Sequence, residues 1–249
     1  MEKDLFVIST LVFADLIKDG MKQSDILEII HDMGITNVEI RREFIKDFDK
    51  ELATIRKKAE KLQMGIYYAV PERLYANREL QFKKIETYFK EAYLLGCSRV
   101  KMIVGPYGTV KPIDVIKMNE LCEKYFIRLT VENDQTREDG RVEKLKRFVE
   151  EYRQEGGKIS VTFDIGNWVW QGEDPAENAS KIKNFVSYVQ LKDVKGKINP
   201  KTVLLNEGDI DWKNIFPLLP RNLPVALEYS CGSNPAKQLR EEITKMKDL

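Results

Sequence analysis

Short runs alternating apolar and polar residues, separated by longer stretches of helical period, set the plan of this chain. The runs are DLFVIS (4–9), NVEIR (37–41), GIYYAV (65–70), RVKMIV (99–104), IRLTVE (127–132), KISVTFD (158–164), SYVQL (187–191) and PVALEY (224–229). Helical patterns begin near Ser24, Asp49, Arg78, Pro112, Arg141, Pro175, Asp211 and Pro235. Asp174-Pro175 and Asn234-Pro235 each set a capping side chain before a proline at the first helical position. Glycines at Gly34, Gly65, Gly96 and Gly156-Gly157 mark helix-to-strand joints, where a left-handed cap costs least in glycine. Eight strand-then-helix units predict a single-domain α/β fold over residues 1–249, a (β/α)8 barrel. An open doubly wound sheet is the alternative, but STLVFADLIKDG after the first run lacks the glycine-rich phosphate loop such sheets usually carry.

The phase of the last strands locates candidate chemistry. Ile127, Leu129 and Val131 alternate with Arg128, Thr130 and Glu132, and Ile159, Val161 and Phe163 with Ser160, Thr162 and Asp164. Val189 and Leu191 alternate with Tyr188 and Gln190, and Val225 and Leu227 with Ala226 and Glu228. In a barrel the uniformly apolar face lies under the helices and the other set points into the lumen. Four neighbouring strands therefore end at their carboxyl ends in inward-facing Glu132, Asp164, Gln190 and Glu228, where barrel active sites are built. Crowded carboxylates repel, and a divalent cation relieves the repulsion. This all-oxygen set suits Mn²⁺ or Mg²⁺ better than zinc. The competing reading is a ring of solvated polar strand ends.

Composition narrows the partners. Of 249 residues, 41 are Lys or Arg and 40 are Asp or Glu, a near balance that disfavours nucleic acid as a partner. Cys97, Cys122 and Cys231 are odd in number and far apart, which fits a reducing cytoplasm better than a disulfide framework. No segment approaches the roughly 18 to 20 apolar residues of a membrane span. The expected protein is cytoplasmic, touches no membrane and has a homo-oligomer open to it.

VEND at Glu132, FDIGN at Asp164, VQLKDV at Gln190, NEGDIDW at Glu207 to Trp212 and ALEY at Glu228 together resemble the xylose isomerase-like barrels. That family includes sugar phosphate isomerases and epimerases, ketose 3-epimerases, inosose dehydratases and endonuclease IV. The resemblance implies that these strands supply Glu, Asp, His and Glu to a divalent metal, with a seventh-strand motif His-x-Lys-Asp. Here Lys192 and Asp193 are kept but Gln190 replaces the histidine, and Asn167 stands where many epimerases place a substrate-binding histidine. Glutamine still offers an amide oxygen. Endonuclease IV is disfavoured, because its trinuclear zinc cluster needs several histidines and this chain has only His31, near a helix end. By resemblance, Glu132 and Glu228 are catalytic, shuttling a proton through an enediolate from opposite sides of a small sugar or sugar phosphate, while Asp164 and Gln190 only ligate.

Glu39, Arg41 and Lys101 are further inward candidates on the second and fourth strands, either filling the lumen as ion pairs or binding sugar hydroxyls. For a phosphorylated substrate, Arg41, Lys101 and Lys192 are the cations to consider first. Tyr67, Tyr68, Trp168 and Trp170 are equally readable as sugar-stacking or packing residues. The leading expectation is a metal-dependent isomerase or epimerase. Its alternatives are a barrel that binds a carbohydrate or polyol with little or no turnover, and a polyol dehydratase.

Overall fold

A computed structural model of the chain describes residues 3–246. Eight parallel strands close into a barrel: β1 (Phe6–Ser9), β2 (Asn37–Arg41), β3 (Gly65–Arg73), β4 (Arg99–Ile103), β5 (Arg128–Glu132), β6 (Ser160–Asp164), β7 (Val186–Leu191) and β8 (Val225–Leu227). Each strand pairs with its sequence neighbour, and β8 closes on β1 through Phe6 opposite Val225 and Ile8 opposite Leu227. The eight barrel helices are α1 (Gln23–His31), α2 (Phe48–Lys61), α3 (Phe82–Leu95), α4 (Pro112–Tyr125), α5 (Val142–Gln154), α6 (Pro175–Ile182), α7 (Trp212–Ile215) and α8 (Pro235–Met246).

The alternation read from sequence is the burial pattern observed. Leu129, Val131, Val161, Phe163, Val189, Leu191, Val225 and Leu227 join one apolar core between strands and helices. The opposite set enters the lumen, where Val7, Tyr188 and Ala226 form a small separate cluster with Tyr67 packed against it. Asp174 caps α6 by accepting from the amides of Ala176 (2.7 Å) and Glu177 (3.0 Å), with Pro175 in the first turn. Asn234 accepts from the Lys237 amide at 3.4 Å ahead of α8.

Two local expectations are revised. The helix expected near Arg78 begins at Phe82, because Tyr75–Ala76 and Glu79–Leu80 form a hairpin whose turn residues Asn77 and Arg78 both have positive φ. Asparagine tolerates that conformation best among residues with a side chain. Gly65 starts β3 rather than capping α2; Gln63 (φ 54°) takes the left-handed position instead. At the end of α4 Phe126 does the same (φ 57°) with no glycine nearby. A second hairpin, Asp193–Lys195 with Lys201–Val203, follows β7.

Candidate active site at the barrel mouth

The lumen-facing side chains at the carboxyl ends of the strands meet in one buried ionic network centred on Glu228, the residue following β8. Its Oε1 accepts from the Arg41 guanidinium and lies 3.2 Å from Lys101 Nζ; its Oε2 lies 2.8 Å from Lys192 Nζ. Lys101 Nζ also reaches Glu132 Oε2 at 2.8 Å, and Lys192 Nζ reaches Asp164 Oδ2 at 2.7 Å and Asn167 Oδ1 at 3.3 Å. Arg41 turns its other edge to Glu43 at 2.6 Å. Glu132, Asp164 and Glu228 are thus drawn together, and Arg41, Lys101, Lys192 and Asn167 join them.

Gln190 does not. It is wholly buried, but its Nε2 lies 3.3 Å from Glu39 Oε1, and its Oε1 has no hydrogen-bond partner. Glu39, also fully buried, accepts at Oε2 from the Tyr188 hydroxyl at 3.0 Å. Tyr188 stands two residues before Gln190 on the same face of β7, so the alternation that placed Gln190 inward carried this partner as well. Asn133 was equally within reach of the sequence, inside VEND. Its side chain accepts from the Asp164 amide (3.0 Å) and donates to the Asp164 carbonyl (2.9 Å), which sews the end of β6 to the loop after β5.

Local backbone chemistry fixes the cations. Asp164 Oδ1 accepts from the amides of Gly166 (2.9 Å) and Asn167 (3.0 Å), so the carboxylate shapes the turn beyond β6. A side chain on Gly166 would put its Cβ 2.3 Å from Lys192 Cγ, so the bare backbone leaves the groove in which the lysine stem lies. Asp193 accepts from the amides of Asn206 (3.0 Å), Gly208 (3.0 Å) and Ile210 (3.2 Å), binding the NEGDIDW loop to the end of β7.

Three of the four aromatic candidates pack within the protein, and Trp170 is half-buried. Tyr67 stacks on Tyr188 with centroids 5.1 Å apart, Tyr68 donates to Glu91 at 2.8 Å on the helix side, and buried Trp168 lies against Phe163. His31 ends α1 with its side chain partly exposed.

Burial and charge drive the two glutamates apart. Burial pushes the Glu132 carboxyl up to about 7, with Lys101 opposing and Glu228 reinforcing the shift. Burial acts upward on Glu228 too, but Lys101, Lys192 and Arg41 outweigh it and hold that carboxyl well below the usual range. Asp164 is raised by burial to about 6 against the pull of Lys192. Lys101 and Lys192 both stay charged, because their carboxylate neighbours more than offset burial.

A parallel eight-stranded barrel with its polar groups gathered at the carboxyl ends of the strands is the architecture of a large class of enzymes. A family model described as xylose isomerase-like TIM barrel matches residues 27–249, and the chain belongs to that family. A xylose isomerase domain containing protein of Salmonella typhimurium LT2 superposes with TM-score 0.73 at 18% identity, covering 100% of this chain and 97% of its own. A D-psicose 3-epimerase solved in the presence of D-fructose gives 0.71 at 12% identity, covering 98% of each chain. The IOLI protein, solved with a zinc atom bound, gives 0.73 at 13% identity, covering 97% and 96%. A comparison with curated protein sequences finds no significant match.

The metal that the family implies does not fit the donor set as arranged. Both Glu228 oxygens face cations, Asp164 divides its oxygens between backbone amides and Lys192, and Glu132 holds Lys101. Gln190 presents its amide nitrogen to Glu39. Among the described residues, no group of three His, Cys, Asp or Glu side chains is disposed to hold a metal ion. A divalent ion seated among these carboxylates would also lie beside two ammonium groups, and like charges at that range repel strongly in a buried site. Three of the four proposed ligands, Glu132, Asp164 and Glu228, therefore act here as partners of the protein's own cations, and Gln190 as a partner of Glu39.

Proposed function

We propose that the chain catalyses proton transfer at the carbon beside a carbonyl in a small, unphosphorylated sugar or polyol derivative, as an isomerase using one base. The observation that carries this reading is the unequal pairing of the two glutamates: Glu132 meets Lys101 alone, whereas Glu228 meets Arg41, Lys101 and Lys192, so burial raises the first carboxyl while the cations lower the second. A carboxyl raised toward neutrality beside one held as an anion supports an acid–base division of roles between them. Glu132 takes the proton and returns it, with a pKa suited to both steps. Glu228, pinned by three cations, orders the site and is a poor proton acceptor. Lys101, within reach of Glu132, donates to the oxygen on which charge develops and stabilises the enediolate electrostatically. A single base moving a proton between adjacent carbons on one face suits aldose–ketose interconversion better than two-sided epimerisation. Arg41, Lys101 and Lys192 are already paired with carboxylates, which argues against a phosphate on the substrate.

A second reading, binding without turnover, is favoured by that same complete pairing of Glu228. Incubating aldoses, ketoses and inososes with the protein in deuterated water separates the two readings. Exchange into the carbon-bound position that is lost in Glu132→Gln supports the isomerase; sugars that bind without exchanging support the binder. Exchange that survives in Glu132→Gln removes Glu132 from the chemistry.

A further inference from the structure

The ion-pair network at the mouth holds four carboxylates, Glu43, Glu132, Asp164 and Glu228, against three cations, Arg41, Lys101 and Lys192. Lys192 Nζ is the most closely ringed of the cations, with Asp164 Oδ2 at 2.7 Å, Glu228 Oε2 at 2.8 Å and Asn167 Oδ1 at 3.3 Å. Three oxygens from two backbone segments, the turn beyond β6 and the residue after β8, converge on one point, as the oxygen ligands of a hard cation do. Nearby Gln190 Oε1 is a buried acceptor without a partner. The ammonium occupies the position and supplies the charge that a hard cation would otherwise provide.

We infer that the Lys192 ammonium stands in for a divalent cation and that Asp164, Glu228 and Asn167 form a latent metal site, closed by that lysine and opened by its removal. Lys101 has the same relation, less completely, to Glu132 and Glu228. Truncating Lys192 to alanine leaves the oxygens, vacates the groove beside Gly166 for water, and leaves four carboxylates facing two cations. A hard divalent ion then restores the balance and completes its shell with water. In the wild-type protein the same ion must first expel a buried ammonium from its carboxylates.

The test is Mn²⁺ binding by calorimetry and electron paramagnetic resonance, which reads the site without reference to turnover, so it stands or falls separately from the proposed isomerase. Lys192→Ala should bind one Mn²⁺ per chain at least about 100-fold more tightly than wild type, a gain of about 2.7 kcal/mol. Lys192→Arg, which keeps the charge, should gain nothing, and Lys192→Ala/Asp164→Asn should lose what Lys192→Ala gained. If truncation lowers Tm, Mn²⁺ should restore it. Stoichiometric micromolar binding by wild type would overturn the inference. So would a Lys192→Ala protein that gains no affinity, or one that stays unfolded with Mn²⁺ present.

Discussion

The upper and lower parts of one lumen solve the same filling problem by opposite means. Below, Tyr67 stacks on Tyr188 beside Val7 and Ala226, and the hydroxyls of Thr130 and Thr162 meet at 2.7 Å. Above, the space is taken by charged side chains held in pairs. A barrel interior is ordinarily a packed core, so the lower layer needs only complementary shape. The upper layer loses much of the hydration of its paired charged groups, a cost that only close and mutual pairing offsets. Groups placed at such expense, beside a carboxyl shifted toward neutrality, make the upper layer the candidate site.

That contrast can be broken most severely at Glu228. Glu228→Ala leaves Arg41, Lys101 and Lys192 without their shared anion, and urea unfolding should show a loss of about 3–5 kcal/mol. A loss below about 1 kcal/mol would mean that the network does not organise the mouth. Glu132→Gln should keep the fold but lower proton exchange by about 10²- to 10⁴-fold. It should also change the pH response with a definite sign. The Glu132 pKa lies above its unfolded value, so its contribution is complete below about 4.5 and is lost as pH rises through about 7. Glu228 is displaced downward and contributes above about 4.5, losing its effect as pH falls toward its folded value. The decline in wild-type Tm between pH 5 and 7.5 should therefore be shallower in Glu132→Gln, with Asp164 supplying the remaining slope.

In the lower layer, Tyr188→Phe removes the hydroxyl donor to Glu39 and should cost about 1.5–3 kcal/mol of stability while exchange persists. Parallel loss of exchange would join the two layers into one functional unit. The smallest effect is expected at their boundary with the loops. Gly166→Ala must displace the Lys192 stem and should cost about 1–3 kcal/mol, read as a lower Tm together with weaker sugar binding.

Strand phase carried most of the fold and the inward placement of the candidate residues. The period-two alternation ties each residue to a face, which is why sequence alone assigns Glu132, Asp164, Gln190 and Glu228 inward. Phase says nothing about reach. Lys101 and Lys192 extend along the lumen on four-carbon stems, and which carboxylates they bridge depends on the shear between strands. Nor does phase orient an amide: Gln190 faces Glu39 because a buried carboxylate needs donors more urgently than an amide oxygen needs a partner. The hairpin at Asn77-Arg78 is masked in sequence because the helical period that follows it runs back through its turn. Phe126 in a left-handed cap had no compositional sign.

Glu228 is shared by three cations, and this makes the mouth a single thermodynamic unit rather than a sum of pairs. Removing Arg41, Lys101 or Lys192 singly frees an oxygen for the remaining two to tighten upon, so each loss is cushioned by the others. Double-mutant cycles among the three should then show combined losses larger than the sum of the single ones. Selection acting on one of these positions would be felt through the other two.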